Sequence, residues 1–243
     1  LIKDFLEEPL DDEARLALFN TVYFKGKWRN PFEGGSTYDR SFTLGSGEEV
    51  TVPMMSQRED GLSYISSAEC DGIALPYRDS DLVFVALKPT EGQDVRQMCE
   101  SLTLKKIGEM VDGAQSRYVS LQIPKFKVTF DKKLNDDMKK MGLTSAFDQD
   151  LADFTGIGLT QQMEPLYIDI VRQKAVFIMD EEGTEAAAVT EVGMARVTSV
   201  MQERTPLQVH FDKPFLYMIL DPETDVPLFM GMMDDPSQAQ SAE

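Results

Sequence analysis

Cysteine, histidine and positive charge are all scarce in this sequence. Its two cysteines, Cys70 and Cys99, form neither a disulfide framework nor a metal-ligand pattern, so stability must come from a packed core. A lone histidine means that a Ser-His-Asp or Cys-His centre would depend wholly on His210, which lies in an alternating, strand-like stretch and reads as structural. With 24 basic against 42 acidic residues the net charge is −18, which excludes nucleic acid and anionic membrane surfaces as partners. No apolar run approaches the length of a bilayer span; the longest, such as Leu82–Leu87, suits a buried strand. Phosphate-cradling glycine loops and the His-Glu-x-x-His pattern are missing. Asp148, Asp150 and Asp153 lack the central glycine and closing glutamate of a calcium loop. Neither cofactor nor metal is expected, and nothing points to an enzyme. None of Asn20, Asn30 and Asn135 heads a glycosylation sequon, and no secretory leader is legible.

What is present suffices for a sizeable core. The chain has 243 residues, 42% of them hydrophobic, and reads as a single domain over 1–243. Leu16–Phe24 is apolar on both faces, as expected of a strand covered on both sides, with Asn20 as its polar exception. Phe42–Met55 reads as a hairpin turning at Gly45-Ser46-Gly47. Leu62–Ile65, Ile73–Pro76 and Leu82–Leu87 read as a further run of strands. Val95–Val111 reads as two helices meeting at Thr103 and stopped by Gly113. Tyr118–Phe130 is strand interrupted by Pro124, and Leu134, Met138 and Met141 recur at helical spacing before Gly142. Leu166–Met179, Pro206–Leu220 and Pro227–Met233 complete the strands. Clustered rather than alternating helices predict an α+β fold.

The stretch after Met179 carries the functional pattern. From Thr184 one face holds Thr184, Ala186, Ala188, Thr190, Val192 and Met194, uncharged and mostly small; the other holds Glu185, Ala187, Val189, Glu191 and Gly193. Such period-two alternation suits a strand with a buriable side slim enough to enter a sheet already in place, and Gly183 offers a hinge before it. The same window also reads as a solvated Ala/Glu-rich linker, and the pattern alone leaves both open.

Glu181-Glu182-Gly183-Thr184-Glu185-Ala186-Ala187-Ala188 resembles the proximal hinge of the serpin reactive loop. Phe19-Asn20-Thr21-Val22-Tyr23-Phe24-Lys25-Gly26-Lys27-Trp28 resembles the serpin strand that leads to a buried tryptophan. Val52-Pro53-Met54-Met55, Leu75-Pro76-Tyr77, Ile123-Pro124-Lys125-Phe126, Ala152-Asp153-Phe154-Thr155-Gly156-Ile157, Asp212-Lys213-Pro214-Phe215 and Pro227-Leu228-Phe229-Met230-Gly231 follow in the family's order. The resemblance covers nearly the whole chain and implies a serpin fold whose amino-terminal helical part is missing from it, or present as a separate chain.

It further implies irreversible, suicide-substrate inhibition of a serine or cysteine protease in a covalent complex, by a monomer prone to loop–sheet polymerisation and found outside the cell. The exposed reactive loop is expected over 181–205. Counted from Glu181 at the family's spacing, the reactive bond is Val197–Thr198, which suits an elastase-like protease; Arg196 is the alternative specificity residue, for a trypsin-like one. Lys125 and Glu181 are expected to pair at the sheet top beside Trp28, and Asn20 and Gln173 to occupy a buried polar cluster through which the sheet opens. Glutamine stands at 173 where the family usually has histidine, so a pH response from that cluster is not expected. The rival expectations are a non-inhibitory serpin acting as carrier, chaperone or storage protein, and an inactive cleavage fragment. Non-inhibitory relatives tend to carry charged or bulky residues on the hinge's inward face; here that face is clean through Met194, which favours inhibition.

Overall fold

The computed structural model describes residues 10, 14–160, 163–184 and 205–238. The chain falls into two compact units, Leu1–Phe24 with Val128–Phe177, and Lys25–Lys127 with Ile178–Glu243. Along the chain the strands begin with β1 (Leu16–Tyr23), β2 (Gly26–Lys27), β3 (Thr37–Thr43), β4 (Glu49–Ser66), β5 (Cys70–Pro76) and β6 (Val83–Pro89). Two short helices follow, α1 (Val95–Ser101) and α2 (Leu104–Asp112), then β7 (Gln115–Pro124), β8 (Phe126–Lys133) and α3 (Asn135–Lys140). The rest is β9 (Ile168–Met179), β10 (Gly183–Thr184), β11 (Leu207–His210), β12 (Phe215–Asp221) and β13 (Val226–Met233). The fold is α+β and strand-rich.

Local chemistry sets the helix limits. Asp94 caps α1 by accepting from Arg96 N at 2.7 Å, and Thr103 caps α2 by accepting from Lys106 N at 3.2 Å. Gly113 ends α2, its N–H donating to the Glu109 carbonyl, and Gly142 follows α3 with φ of 102°.

In the second unit an eight-stranded sheet runs β11-β7-β4-β5-β6-β12-β13, with β3 on β4. α1 and α2 cover part of it through Val95, Met98 and Ile107, which pack with Ile65, Val85, Leu87 and Met218. Leu62–Ile65 is no separate strand: it lies in the far part of β4. Gly61, at φ of 96°, absorbs the bulge between Asp60 and Leu62, so the strand bends instead of stopping. Pro206–Leu220 is two strands, because β11 pairs with β7 and β12 with β6 and β13, and 211–214, ending in Pro214, lies between them.

In the first unit β1 runs parallel to β9, Leu16 opposite Ile168 through Tyr23 opposite Val176, and β8 also pairs with β9. Burial on both faces of β1 does not hold: Leu18, Phe19 and Tyr23 are 41%, 41% and 42% exposed. Among the described residues β1 pairs with β9 alone. Leu1–Leu10, with apolar residues ahead of Pro9, reads from sequence as the end of a helix and its exit loop; 1–9 lie outside the described residues.

Candidate functional site at the hinge

β9 ends in a turn built by Asp180. Its carboxylate accepts from Glu182 N at 2.9 Å and Gly183 N at 3.1 Å, while Asp180 N donates to the Gly183 carbonyl at 2.9 Å. This Asx turn folds the chain back so that Thr184 stands antiparallel to Met179. On its other side Gly183 faces Lys27 and Thr184 faces Gly26. A Cβ on Gly183 would lie 2.0 Å from the Gly26 carbonyl oxygen. The glycine is needed for this close backbone approach, not for the conformational freedom that its place in a hinge first implies.

Trp28 is the anchor. It is fully buried, stacks on Tyr77 with centroids 4.8 Å apart and rings 18° from parallel, and meets the edge of Phe84 at 5.7 Å. Its backbone N–H donates to the Glu182 carbonyl at 2.8 Å and its indole Nε1–H to the Asp180 carbonyl at 2.9 Å. Phe32 N donates to the Glu181 carbonyl at 2.8 Å. Three consecutive hinge carbonyls are thus held by the segment from Trp28 to Phe32. Thr184 is fully buried, and its hydroxyl lies 2.7 Å from the Tyr77 hydroxyl. Burial pushes the Tyr77 phenol far above its ordinary value, with the Thr184 bond pulling weakly the other way.

Lys125 and Glu181 meet. Lys125 Nζ donates to one Glu181 carboxylate oxygen at 2.7 Å, and the Thr37 hydroxyl donates to the other at 2.7 Å. Burial works to raise the Glu181 carboxyl, but these two hydrogen bonds, with one from its own backbone N–H and the charge of Lys125, together outweigh it and hold the group below its ordinary range. Asp180, Thr37 and Tyr77 are the site residues that sequence reasoning missed. An Asp three residues before a Gly is a legible turn signal for the first; nothing local marks Thr37 or Tyr77 as partners of the hinge.

The expected loop over 181–205 is not exposed at its start. Glu181 and Glu182 are half-buried and Gly183 and Thr184 buried, because β10 is already paired. Glu185, Ala186, Ala187, Ala188, Arg196, Val197 and Thr198 lie outside the described residues. In the first unit Gln173 Nε2 donates to Asn20 Oδ1 at 3.0 Å across the β1–β9 ladder. This pair is not buried: Asn20 is exposed and Gln173 half-exposed.

The model of the family described as serpin (serine protease inhibitor) matches residues 1–236. The chain belongs to the serpin family. Among curated serpin relatives, a serine protease inhibitor of Cyanea capillata is 31% identical over 242 residues, covering 97% of this chain and 61% of the relative. A leukocyte elastase inhibitor of Xenopus laevis is 32% identical over 232 residues, covering 93% and 59%. Among solved structures the thermophilic serpin tengpin in its native state superposes with a TM-score of 0.80 at 30% identity, covering 94% of this chain and 57% of that one. This serpin therefore has the serpin fold and spans about three-fifths of the length of relatives it matches. Among the described residues no helix is long and apolar enough to cross a membrane.

Proposed function

We propose that this serpin belongs to a suicide-substrate inhibitor of an elastase-like serine protease, acting as a monomer outside the cell and catalysing nothing itself. Protease inhibition is the general activity the family's name carries. One observation supports the mechanism above others. Thr184, a small and fully buried residue, already stands in strand register at the mouth of a sheet in which β1 and β9 pair directly. The alternating uncharged face continues the same strand in sequence through Val192 and Met194.

The protease attacks the carbonyl of Val197, forms an acyl-enzyme and releases Thr198 as a new amino terminus. The segment from Gly183 to Val197, roughly 50 Å long at about 3.3 Å per residue, then enters between β1 and β9 as a new strand. Serpin loop insertion is a known instance of strand addition and of stored strain released by proteolysis. The tethered protease is carried along, its oxyanion hole loses alignment, and hydrolysis of the ester stalls. Val197 fits a shallow apolar specificity pocket. Arg196 falls on the inward face, where a charge opposes the end of insertion. Residues 1–243 act as part of one serpin domain, with the cleavable part of the loop lying beyond Thr184.

Incubation of the full-length protein with elastase-, trypsin- and papain-like proteases tests this. The expected result is a complex with the elastase-like enzyme that survives denaturing electrophoresis, together with a released peptide beginning at Thr198. A peptide beginning at Val197 reassigns the site to Arg196. Clean cleavage without any complex overturns inhibition.

A further inference from the structure

Within the first unit a cavity of about 210 Å³ opens among β1, β8 and β9, lined by Phe19, Asp131, Lys132, Lys133, Ile170 and Arg172. Strand geometry gathers these residues. Phe19 is the ladder partner of Arg172, and directly opposite residues project from one face. Ile170, Arg172 and Lys174 alternate onto that face along β9. Arg172 donates to both oxygens of Asp131, through Nε at 2.7 Å and Nη2 at 2.9 Å. Lys174 Nζ lies 3.0 Å from the same carboxylate, its side chain only 10% exposed. The Arg172 hydrogen bonds, with those of Lys174 behind them, hold the Asp131 carboxyl below its ordinary range, so it stays ionised and is shared by two cations. Lys132 lies 2.8 Å from Asp137, and Lys133 is exposed at the rim. Lys132, Lys133, Arg172 and Lys174 therefore stand against Asp131 and Asp137, a local surplus of positive charge in a chain of net charge −18.

We propose that this cavity is a binding site for a small organic carboxylate on an apolar stem, the carboxylate against Arg172 and Lys133 and the stem against Phe19 and Ile170. Each wall selects one half of such a molecule. The planar guanidinium matches a carboxylate, and its bonds to Asp131 fix its plane before a ligand arrives, so less freedom is lost on binding. Phe19 and Ile170 give a bare inorganic anion nothing to pack on, whereas an aromatic or branched stem covers them. The volume equals roughly seven waters at about 30 Å³ each, which suits an acid of one or two rings. Phe19 comes from β1 and the cationic groups from β8 and β9, so an occupant fastens β1 to β9. The site requires no step of the inhibition proposed above.

Ligand-observed NMR titrations of the intact, full-length protein with naphthoate, naphthamide and acetate test this. Naphthoate is expected to bind at one site, with the neutral amide and the stemless acetate each at least about tenfold weaker. Its affinity falls as salt is added. Arg172→Gln is expected to weaken naphthoate at least about tenfold, and Lys133→Glu, at the exposed rim, about two- to fivefold. Should Arg172→Gln fail to fold because Asp131 loses its partner, Lys133→Glu and Phe19→Ala leave the Asp131 bonds in place and carry the test. Hydrogen exchange supplies a second readout: bound naphthoate slows exchange of the β1 amides, and less so in Lys133→Glu at the same ligand concentration. Naphthamide binding as tightly as naphthoate would make the cavity an apolar hollow and overturn the carboxylate assignment. Naphthoate affinity that ignores all three substitutions would place its site elsewhere, and an absence of saturable binding would overturn the proposal outright.

Discussion

Glu181 carries the most chemistry per atom at the hinge, accepting from Lys125 and Thr37 through its two oxygens. Its folded pKa lies below the ordinary 4.5, so the pair stabilises fully above that value and the contribution is lost as pH falls through the folded value. Wild type is expected to lose more stability than Glu181→Gln between about pH 5 and pH 3. Denaturant midpoints across that window check it, and parallel curves would refute the pairing's role. Tyr77 and Thr184 make a second residue-scale test. Tyr77→Phe strands the buried Thr184 hydroxyl and is expected to cost about 1–3 kcal/mol. Adding Thr184→Val removes the stranded group and is expected to recover most of that loss; midpoints of the single and double variants decide it. Glu181 and Lys125 were legible through the motifs around them. Tyr77 was not, because its hydroxyl meets a residue more than a hundred positions away.

At the scale of the element, β10 is two residues long and cannot hold itself together. It stands because Asp180 folds the turn, Trp28 binds the Glu182 and Asp180 carbonyls, and Gly183 lets two backbones approach. Gly183→Ala places a methyl group against the Gly26 carbonyl and is expected to push β10 off β2, at a cost of about 1–3 kcal/mol. Trp28 is the chain's single tryptophan, so a red shift in its fluorescence, with faster exchange of its indole N–H, reports the displacement directly. Unchanged emission would show that the strand accommodates the methyl. Elements with strong local signals were legible: Asp94, Thr103 and Gly113 mark α1 and α2 as their chemistry requires. The length of β4 was not, since a glycine bulge and a strand end look alike until the partner β7 is seen to continue past Gly61.

For the molecule as a whole, the ladder between β1 and β9 is what insertion has to break. Those two strands are parallel, and in the proposed insertion a segment returning from the end of β9 would enter between them antiparallel to both, exchanging one ladder for two. If the proposed insertion holds, cleavage of the full-length protein within Val192–Ser199 is expected to raise its thermal midpoint sharply, as for an uncut form held by a kinetic barrier. Scanning calorimetry before and after the cut checks this. A midpoint that stays put, with the cut confirmed by mass, favours a non-inhibitory serpin.

Composition alone set the outer limits: a charge of −18 and one histidine narrow partners and chemistry, because they are sums over residues and need no coordinates. Periodicity and caps determined most strands and helices, since alternation and terminal hydrogen bonds act within a few residues. The tertiary structure alone decided what depends on distant chain segments. It exposed Asn20, reversing the burial that its place in an apolar stretch implied, because burial is settled by what packs over a strand and not by the strand's own pattern. It also brought Thr37 and Tyr77 to the hinge, and opposed Phe19 to Arg172, contacts that close long loops and leave no trace in either neighbourhood of the sequence.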